Sequence, residues 1–81
     1  MTRVLLFGRL RDIAGWRERA VDPAPATLFA LKILLTAEDQ ALGEALAGAG
    51  VQAAVDKVLV RGDIALSSGS EVAFLSPMSG G

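Results

Sequence analysis

Few residues of this chain could take part in chemistry, and the ones that stand out are the terminal glycines, Gly80 and Gly81. A pair of glycines has no side chain to pack, and ordering it costs more backbone entropy than ordering any other dipeptide. One interpretation is therefore an ordinary chain end. The other is that the α-carboxylate of Gly81 is the reactive group, because a tail without Cβ atoms can enter a narrow channel and present that carboxylate for activation by ATP.

Side chains suited to catalysis are scarce in the rest of the chain. It has no cysteine and no histidine, which excludes disulfides, a thiol nucleophile, a histidine base and any metal site built on those ligands. Glu38 and Asp39 form the one adjacent acidic pair, and such a pair is typical of charge at a helix terminus. The sequence therefore predicts a substrate or carrier rather than a catalyst, with no bound cofactor.

Charge and hydropathy narrow the classes of partner. Eight basic and nine acidic residues leave a net charge of −1, so neither a nucleic-acid partner nor a basic binding face is expected. A mean hydropathy of +0.46 is high for 81 residues, and a domain of this size leaves some apolar surface for a partner. No run has the length of a membrane span or a signal-peptide core. We expect a cytoplasmic protein that does not contact membranes.

The hydrophobic pattern alternates between strand and helix periods. Strands are predicted over residues 3–8, 16–21, 51–55, 58–60 and 71–75, and helices over 9–14, 28–35 and 39–47. Thr27 is a suitable N-cap for the longest helix, whose apolar face is predicted to be widened by Phe29 and Ile33. A short apolar segment over residues 64–66 is expected to cross beneath the sheet.

The first and last strands are the most continuously apolar, which is typical of strands in the middle of a sheet. We expect them to lie side by side and parallel, with the helix over residues 28–35 across one face. That is an α+β fold, a β-grasp or ubiquitin-like roll with a mixed sheet. It predicts one domain over residues 1–75 and a flexible tail over 76–81. An aromatic side chain facing away from the helix would be exposed, and we expect it to be Phe74.

Three segments carry a resemblance to a known family. They are Val4-Leu5-Leu6-Phe7-Gly8-Arg9-Leu10-Arg11-Asp12-Ile13-Ala14-Gly15, Ala54-Val55-Asp56 and Gly69-Ser70-Glu71-Val72-Ala73-Phe74-Leu75-Ser76-Pro77-Met78-Ser79-Gly80-Gly81. On these segments the chain resembles the molybdopterin synthase small subunits, the sulfur carriers of molybdenum cofactor synthesis. The family usually has asparagine, aspartate and proline where this chain has Asp56, Ser70 and Ser76. None of these departures touches the Gly-Gly end.

The resemblance implies a cycle of sulfur transfer centred on Gly81. An adenylating enzyme related to ubiquitin E1 would activate its carboxylate with ATP, and a persulfide donor would convert the adenylate to a thiocarboxylate. The tail would then enter the large, catalytic subunit of molybdopterin synthase and give its sulfur to cyclic pyranopterin monophosphate, within a heterotetramer. The residues that would thread that active site are Pro77, Met78, Ser79 and Gly80.

The resemblance also implies an interface with that large subunit. Arg11 occupies a position where the family carries an arginine that faces its partners. The residues expected at the interface are Phe74, Leu75, Phe7 and Arg11.

Three other functions fit parts of the sequence. A sulfur carrier of the thiamine pathway shares the tail chemistry, although such carriers are shorter and lack the opening segment. A ubiquitin-like modifier would be joined through Gly81 to lysines of target proteins. An interaction domain with an accidental Gly-Gly end is the third, and the resemblance along the whole chain makes it the weakest.

Overall fold

The computed structural model describes residues 1–77, and the elements within that range match the predicted order. They are β1 (Thr2–Phe7), α1 (Arg9–Ala14), β2 (Glu18–Val21), α2 (Leu28–Glu38), α3 (Gln40–Leu46), β3 (Gln52–Val55), β4 (Val58–Val60) and β5 (Glu71–Leu75). Among these residues no helix is long and apolar enough to cross a bilayer.

The strands form one mixed sheet in the order β2-β1-β5-β3-β4. β1 and β5 lie parallel at its centre, with Val4 beside Val72 and Phe7 beside Leu75. β2 is antiparallel to β1, and β3 is antiparallel to both β5 and β4. The first and last strands are therefore central and parallel, which confirms the predicted β-grasp arrangement.

The core lies between one face of this sheet and the helices. Val4 and Leu6 of β1 are buried beside Val72 and Phe74 of β5. The helices contribute the buried side chains of Leu28, Leu31, Leu35, Leu42 and Leu46. Burial along β1 alternates, because successive side chains of a strand point to opposite faces. The continuous apolar run of β1 therefore does not mean burial on both faces, since the helices cover only one.

Helix α2 begins at Leu28, after an N-cap threonine. The Thr27 hydroxyl accepts a hydrogen bond from the Ala30 N–H at 3.0 Å, as predicted for this cap. Phe29 and Ile33, however, are 51% and 69% exposed, so the prediction that they widen the buried stripe was wrong. An α-helix turns about 100° per residue, and these two positions lie on the side of α2 away from the sheet.

Residues 64–66 form a loop and do not cross beneath the sheet, which corrects the prediction for this segment. Ala65 makes an isolated β-bridge with Thr27, and the Leu28 N–H donates to the Ile64 carbonyl at 2.9 Å. Leu66 packs against the core, while Ile64 is partly exposed. The loop therefore holds the start of α2 against the rest of the domain.

Candidate functional site

The site begins where the chain leaves the central strand β5, at Ser76 and Pro77, which we call the tail root. The Ser76 hydroxyl accepts a hydrogen bond from the Arg9 N–H at 3.2 Å and donates to the Phe7 carbonyl at 3.4 Å. Arg9 is the first residue of α1, and its N-cap Gly8 has no side chain with which to cap the helix. Ser76 thus caps α1 from the far end of the chain.

Two glycines surround the tail root. A Cβ at Gly8 would collide with the Ser76 hydroxyl, and a Cβ at Gly50 would lie 3.2 Å from two carbons of the Pro77 ring. Both glycines have positive φ, +63° and +84°, which residues with a side chain rarely adopt. Neither position can therefore carry a side chain without strain or displacement of the tail root.

The sheet face opposite the helices carries a continuous apolar surface, which we call the open-face patch. Its members pair in register across four strands, so their side chains share that face. Phe7 is 49% and Leu59 is 59% exposed, a large apolar exposure of the kind that marks a protein interface. The patch consists of Leu5, Phe7, Ala54, Leu59, Ala73 and Leu75.

Charged residues lie at both ends of this patch. At the start of β1, the Arg3 guanidinium bridges Glu18 at 2.8 Å and Glu71 at 3.5 Å. At the other end, Arg11 and Arg17 line a shallow depression of about 250 Å³ beside Phe7. The tail root therefore leaves the domain at the end of the patch where Arg11 and Arg17 lie, and within residues 1–77 neither arginine forms a salt bridge.

The structure separates the residues predicted for the partner interface. Phe7 and Leu75 lie on the open-face patch, and Arg11 is exposed beside it. The expectation that Phe74 is the exposed aromatic was wrong, because Phe74 is paired with buried Leu6 and is 0% exposed. Of the predicted tail residues, Pro77 lies at the tail root. Met78, Ser79, Gly80 and Gly81 lie outside the described residues.

Sequence reasoning missed two parts of this site, Leu59 and the capping role of Ser76. The two-residue turn at Asp56 and Lys57 was visible, and it pairs Val55 with Val58. One residue further along, that register sets Leu59 beside Ala54 on the open face. Nothing local to Ser76 indicated a contact with a residue near the start of the chain.

A larger groove lies elsewhere, on the outer side of α2 and α3. It measures about 560 Å³, and Lys32 is the one titratable residue of its lining. Among residues 1–77 there is no group of three or more acidic side chains that could hold a metal ion. The described part of the chain thus presents an exposed apolar sheet face beside the point where the tail leaves the domain.

Comparison with known proteins places this geometry in a family. The model of the ThiS family matches residues 4–81. The chain is 35% identical to the molybdopterin synthase sulfur carrier subunit of Escherichia coli (strain K12), over 81 residues and 100% of both chains. It is similar in structure to SAMP1 from Haloferax volcanii, with a TM-score of 0.86 and 25% identity over 99% of this chain and 98% of that one. The small archaeal modifier protein 1 of Methanosarcina acetivorans gives a TM-score of 0.83 at 22% identity, over 99% and 95%. These matches confirm the resemblance and the β-grasp fold, and the chain therefore belongs to the ThiS family.

Proposed function

We propose that this protein is the sulfur carrier of molybdenum cofactor synthesis, with the terminal carboxylate of Gly81 as the group that carries the sulfur. It works in the cytoplasm as the non-catalytic small subunit of molybdopterin synthase. The observation that carries the proposal is the alignment with the Escherichia coli sulfur carrier subunit over the whole length of both chains. The family match likewise extends to residue 81, so Gly80 and Gly81 lie within the matched region.

The fold supports this role because the surface suited to docking lies on the sheet, while the group that reacts is at the end of the tail. The open-face patch supplies an apolar surface of the kind on which a catalytic partner subunit docks. The tail root lies at the end of that patch, next to Phe7. A partner that covers the patch therefore meets the tail where it leaves the domain, and the heterotetramer is built on that contact.

The chemistry of the cycle follows from the weakness of a carboxylate as an electrophile. An E1-like enzyme joins the Gly81 carboxylate to the α-phosphate of ATP and releases pyrophosphate, which turns one carboxylate oxygen into a leaving group. The terminal sulfur of a persulfide donor attacks the carbonyl carbon and AMP departs. A thiol then cleaves the resulting disulfide and leaves the thiocarboxylate. With no cysteine in the chain, no internal thiol competes for the activated end.

The partner supplies the catalytic groups for the last step. The thiocarboxylate sulfur attacks cyclic pyranopterin monophosphate in the active site of the large subunit, and water then releases the Gly81 carboxylate. Two such transfers build the dithiolene. The segment that threads that site is Pro77, Met78, Ser79 and Gly80.

Intact-mass spectrometry tests the proposal. The purified chain is incubated with the adenylating enzyme, ATP and a persulfide donor, and the expected product is heavier by the exchange of one oxygen for sulfur. That product, mixed with purified large subunit and cyclic pyranopterin monophosphate, is expected to give the dithiolene. If the thiocarboxylate forms but the pterin remains unchanged, the carrier serves another acceptor, such as that of the thiamine pathway.

The structural neighbours favour a second candidate, a ubiquitin-like modifier. Both solved structures named above are small archaeal modifier proteins, and a modifier shares the adenylation step. Conjugation would join Gly81 to a lysine amine of another protein. Immunoblots of cells that produce a tagged chain distinguish the two functions, since a modifier gives a ladder of larger species and a carrier gives the free protein.

A further inference from the structure

We infer that Ser76 is a positioning residue, whose hydroxyl fixes the direction in which the chain leaves β5 toward the enzyme that adenylates Gly81. This inference rests on the proposed function. The first observation is the pair of hydrogen bonds that the hydroxyl makes, from the Arg9 N–H and to the Phe7 carbonyl. These two groups flank Gly8 at the junction of β1 and α1. Ser76 is thus held at two points, the last residue of β1 and the first residue of α1.

The backbone at the tail root is restricted as well. The Pro77 ring fixes its own φ and keeps Ser76 out of the helical region. On the other side, Gly50 allows the ring to approach, because a Cβ there would lie only 3.2 Å from it. The hydroxyl contacts, the ring and the glycine together restrict the backbone at Ser76 and Pro77.

The hydroxyl has a second role as the cap of helix α1. The first N–H groups of a helix lack partners within it, and Gly8 makes no side-chain cap of α1. Ser76 fills that role from 67 residues away along the sequence. A cap drawn from this distance couples the geometry of α1 to the direction of the tail, which a local cap at position 8 could not do.

The consequence for function is a lower entropic cost of docking. A tail held in the direction of the adenylating enzyme's active site loses less conformational entropy when it binds. This improves the affinity of the carrier for the enzyme but does not change the rate at which the bound tail is adenylated. Removing the hydroxyl is therefore expected to raise KM for the carrier and leave kcat unchanged. The expected rise is about fivefold, the size set by one ordinary hydrogen bond.

The experiment compares Ser76→Ala and Ser76→Thr with the full-length wild-type chain. Each carrier is titrated against the adenylating enzyme and ATP, and the rate of pyrophosphate release is measured at each carrier concentration. We expect Ser76→Ala to raise KM about fivefold and Ser76→Thr, which keeps the hydroxyl, to restore it. Amide hydrogen exchange at Arg9 should become faster in Ser76→Ala alone. The matched control is Ser68→Ala, since Ser68 is exposed at the opposite end of β5.

A pair of glycine variants tests the same inference without touching the hydroxyl. Gly50→Ala and Gly69→Ala each place a side chain at a positive φ, and the two φ values are nearly equal, +84° and +88°. The surroundings differ, because a Cβ at Gly50 would contact the Pro77 ring and a Cβ at Gly69 would face open space. The inference predicts a raised KM for Gly50→Ala and an unchanged KM for Gly69→Ala, with Tm recorded for both.

The outcomes separate this inference from the proposed function. Equal KM values for wild type and Ser76→Ala overturn the inference, while formation of the thiocarboxylate and the dithiolene by the wild type still upholds the proposed function. If Ser76→Ala lowers both kcat and Tm but leaves KM unchanged, the hydroxyl serves only to stabilise the fold. That result also overturns the inference. If the wild-type chain is not adenylated at all, the proposed function fails and the inference fails with it.

Discussion

At the scale of single residues, the two phenylalanines of the central strands have opposite environments. Phe74 pairs with Leu6 and Phe7 pairs with Leu75 in the parallel register. The helices cover the face that holds Phe74, which is 0% exposed, while Phe7 is 49% exposed on the other. A shift of one position along a strand moves a side chain to the other face of the sheet. It thus decides whether an aromatic side chain is buried in the core or exposed on the open-face patch.

Alanine substitutions at these two positions should therefore have opposite effects. Phe74→Ala is expected to lower the free energy of unfolding by about 3–5 kcal/mol, because it leaves a cavity in the core. Phe7→Ala should lower it by no more than about 1 kcal/mol, yet weaken binding to the large subunit by about 2 kcal/mol or more. Urea titration and calorimetry measure the two effects. A larger loss of stability for Phe7→Ala would show that the faces are reversed.

Two threonines offer a second contrast at this scale. Thr2 is fully buried, and its hydroxyl has no hydrogen-bond partner among residues 1–77. Thr2→Val should raise the free energy of unfolding by about 1 kcal/mol, since it removes an unsatisfied buried hydroxyl at nearly constant volume. Thr27→Val, the control, should lower it by about 0.5–2 kcal/mol, because it removes the α2 cap. A destabilising Thr2→Val, measured by thermal unfolding, would mean that the buried hydroxyl is satisfied.

At the scale of elements, α2 is fixed by its first turn and by one apolar stripe. Thr27 accepts from the Ala30 N–H and the Asp63 carboxylate accepts from the Phe29 N–H at 2.8 Å. Leu28, Leu31 and Leu35 form the buried stripe. The opposite side of the helix carries exposed apolar side chains, so hydrophobicity alone does not identify the packing face.

The two sides of α2 can be compared directly by truncation. Leu31→Ala is expected to lower the free energy of unfolding by about 2–5 kcal/mol, because Leu31 is fully buried. Ile33→Ala removes a side chain of similar size that is 69% exposed, and its effect should stay within about 0.5 kcal/mol. Denaturant titration of both variants checks this. Similar losses at the two sites would contradict the packing of α2 described above.

At the scale of the whole molecule, one face of the sheet is buried and the other is exposed. The helices close one face and form the core, while the open-face patch remains for a partner. Because β5 is central, the chain leaves the domain between Phe7 and α1 rather than from an edge of the sheet. The topology therefore connects a central strand to the end of the chain that the proposed function uses.

The length of the chain beyond this strand is expected to be critical. Deleting Gly81, or adding one residue after it, should abolish sulfur transfer and leave the fold intact. An extended chain advances about 3.3–3.6 Å per residue, while a misplacement of about 1 Å can cost roughly a hundredfold in rate. Intact mass, circular dichroism and the pterin assay measure the result. A chain that ends at Gly80 and still supports dithiolene synthesis would refute the assignment of Gly81.

Much of this fold was determined by the sequence alone. The apolar runs at both ends of the chain indicated central parallel strands, Thr27 marked the start of α2, and Gly15 marked the end of α1, where it adopts φ +82°. These are local signals, since period, caps and turns depend on neighbours in the sequence. The resemblance along the whole chain supplied the family in the same way.

Only the tertiary structure decided which side chains of the central strands are exposed. Val4, Leu5, Leu6 and Phe7 are all apolar, so the run contains no polar residue to show which alternate set is buried. That choice, and with it the exposure of Phe7 rather than Phe74, is made by the helices that pack on one face. The contact of Ser76 with Arg9 likewise exists only because parallel pairing brings the ends of β1 and β5 together.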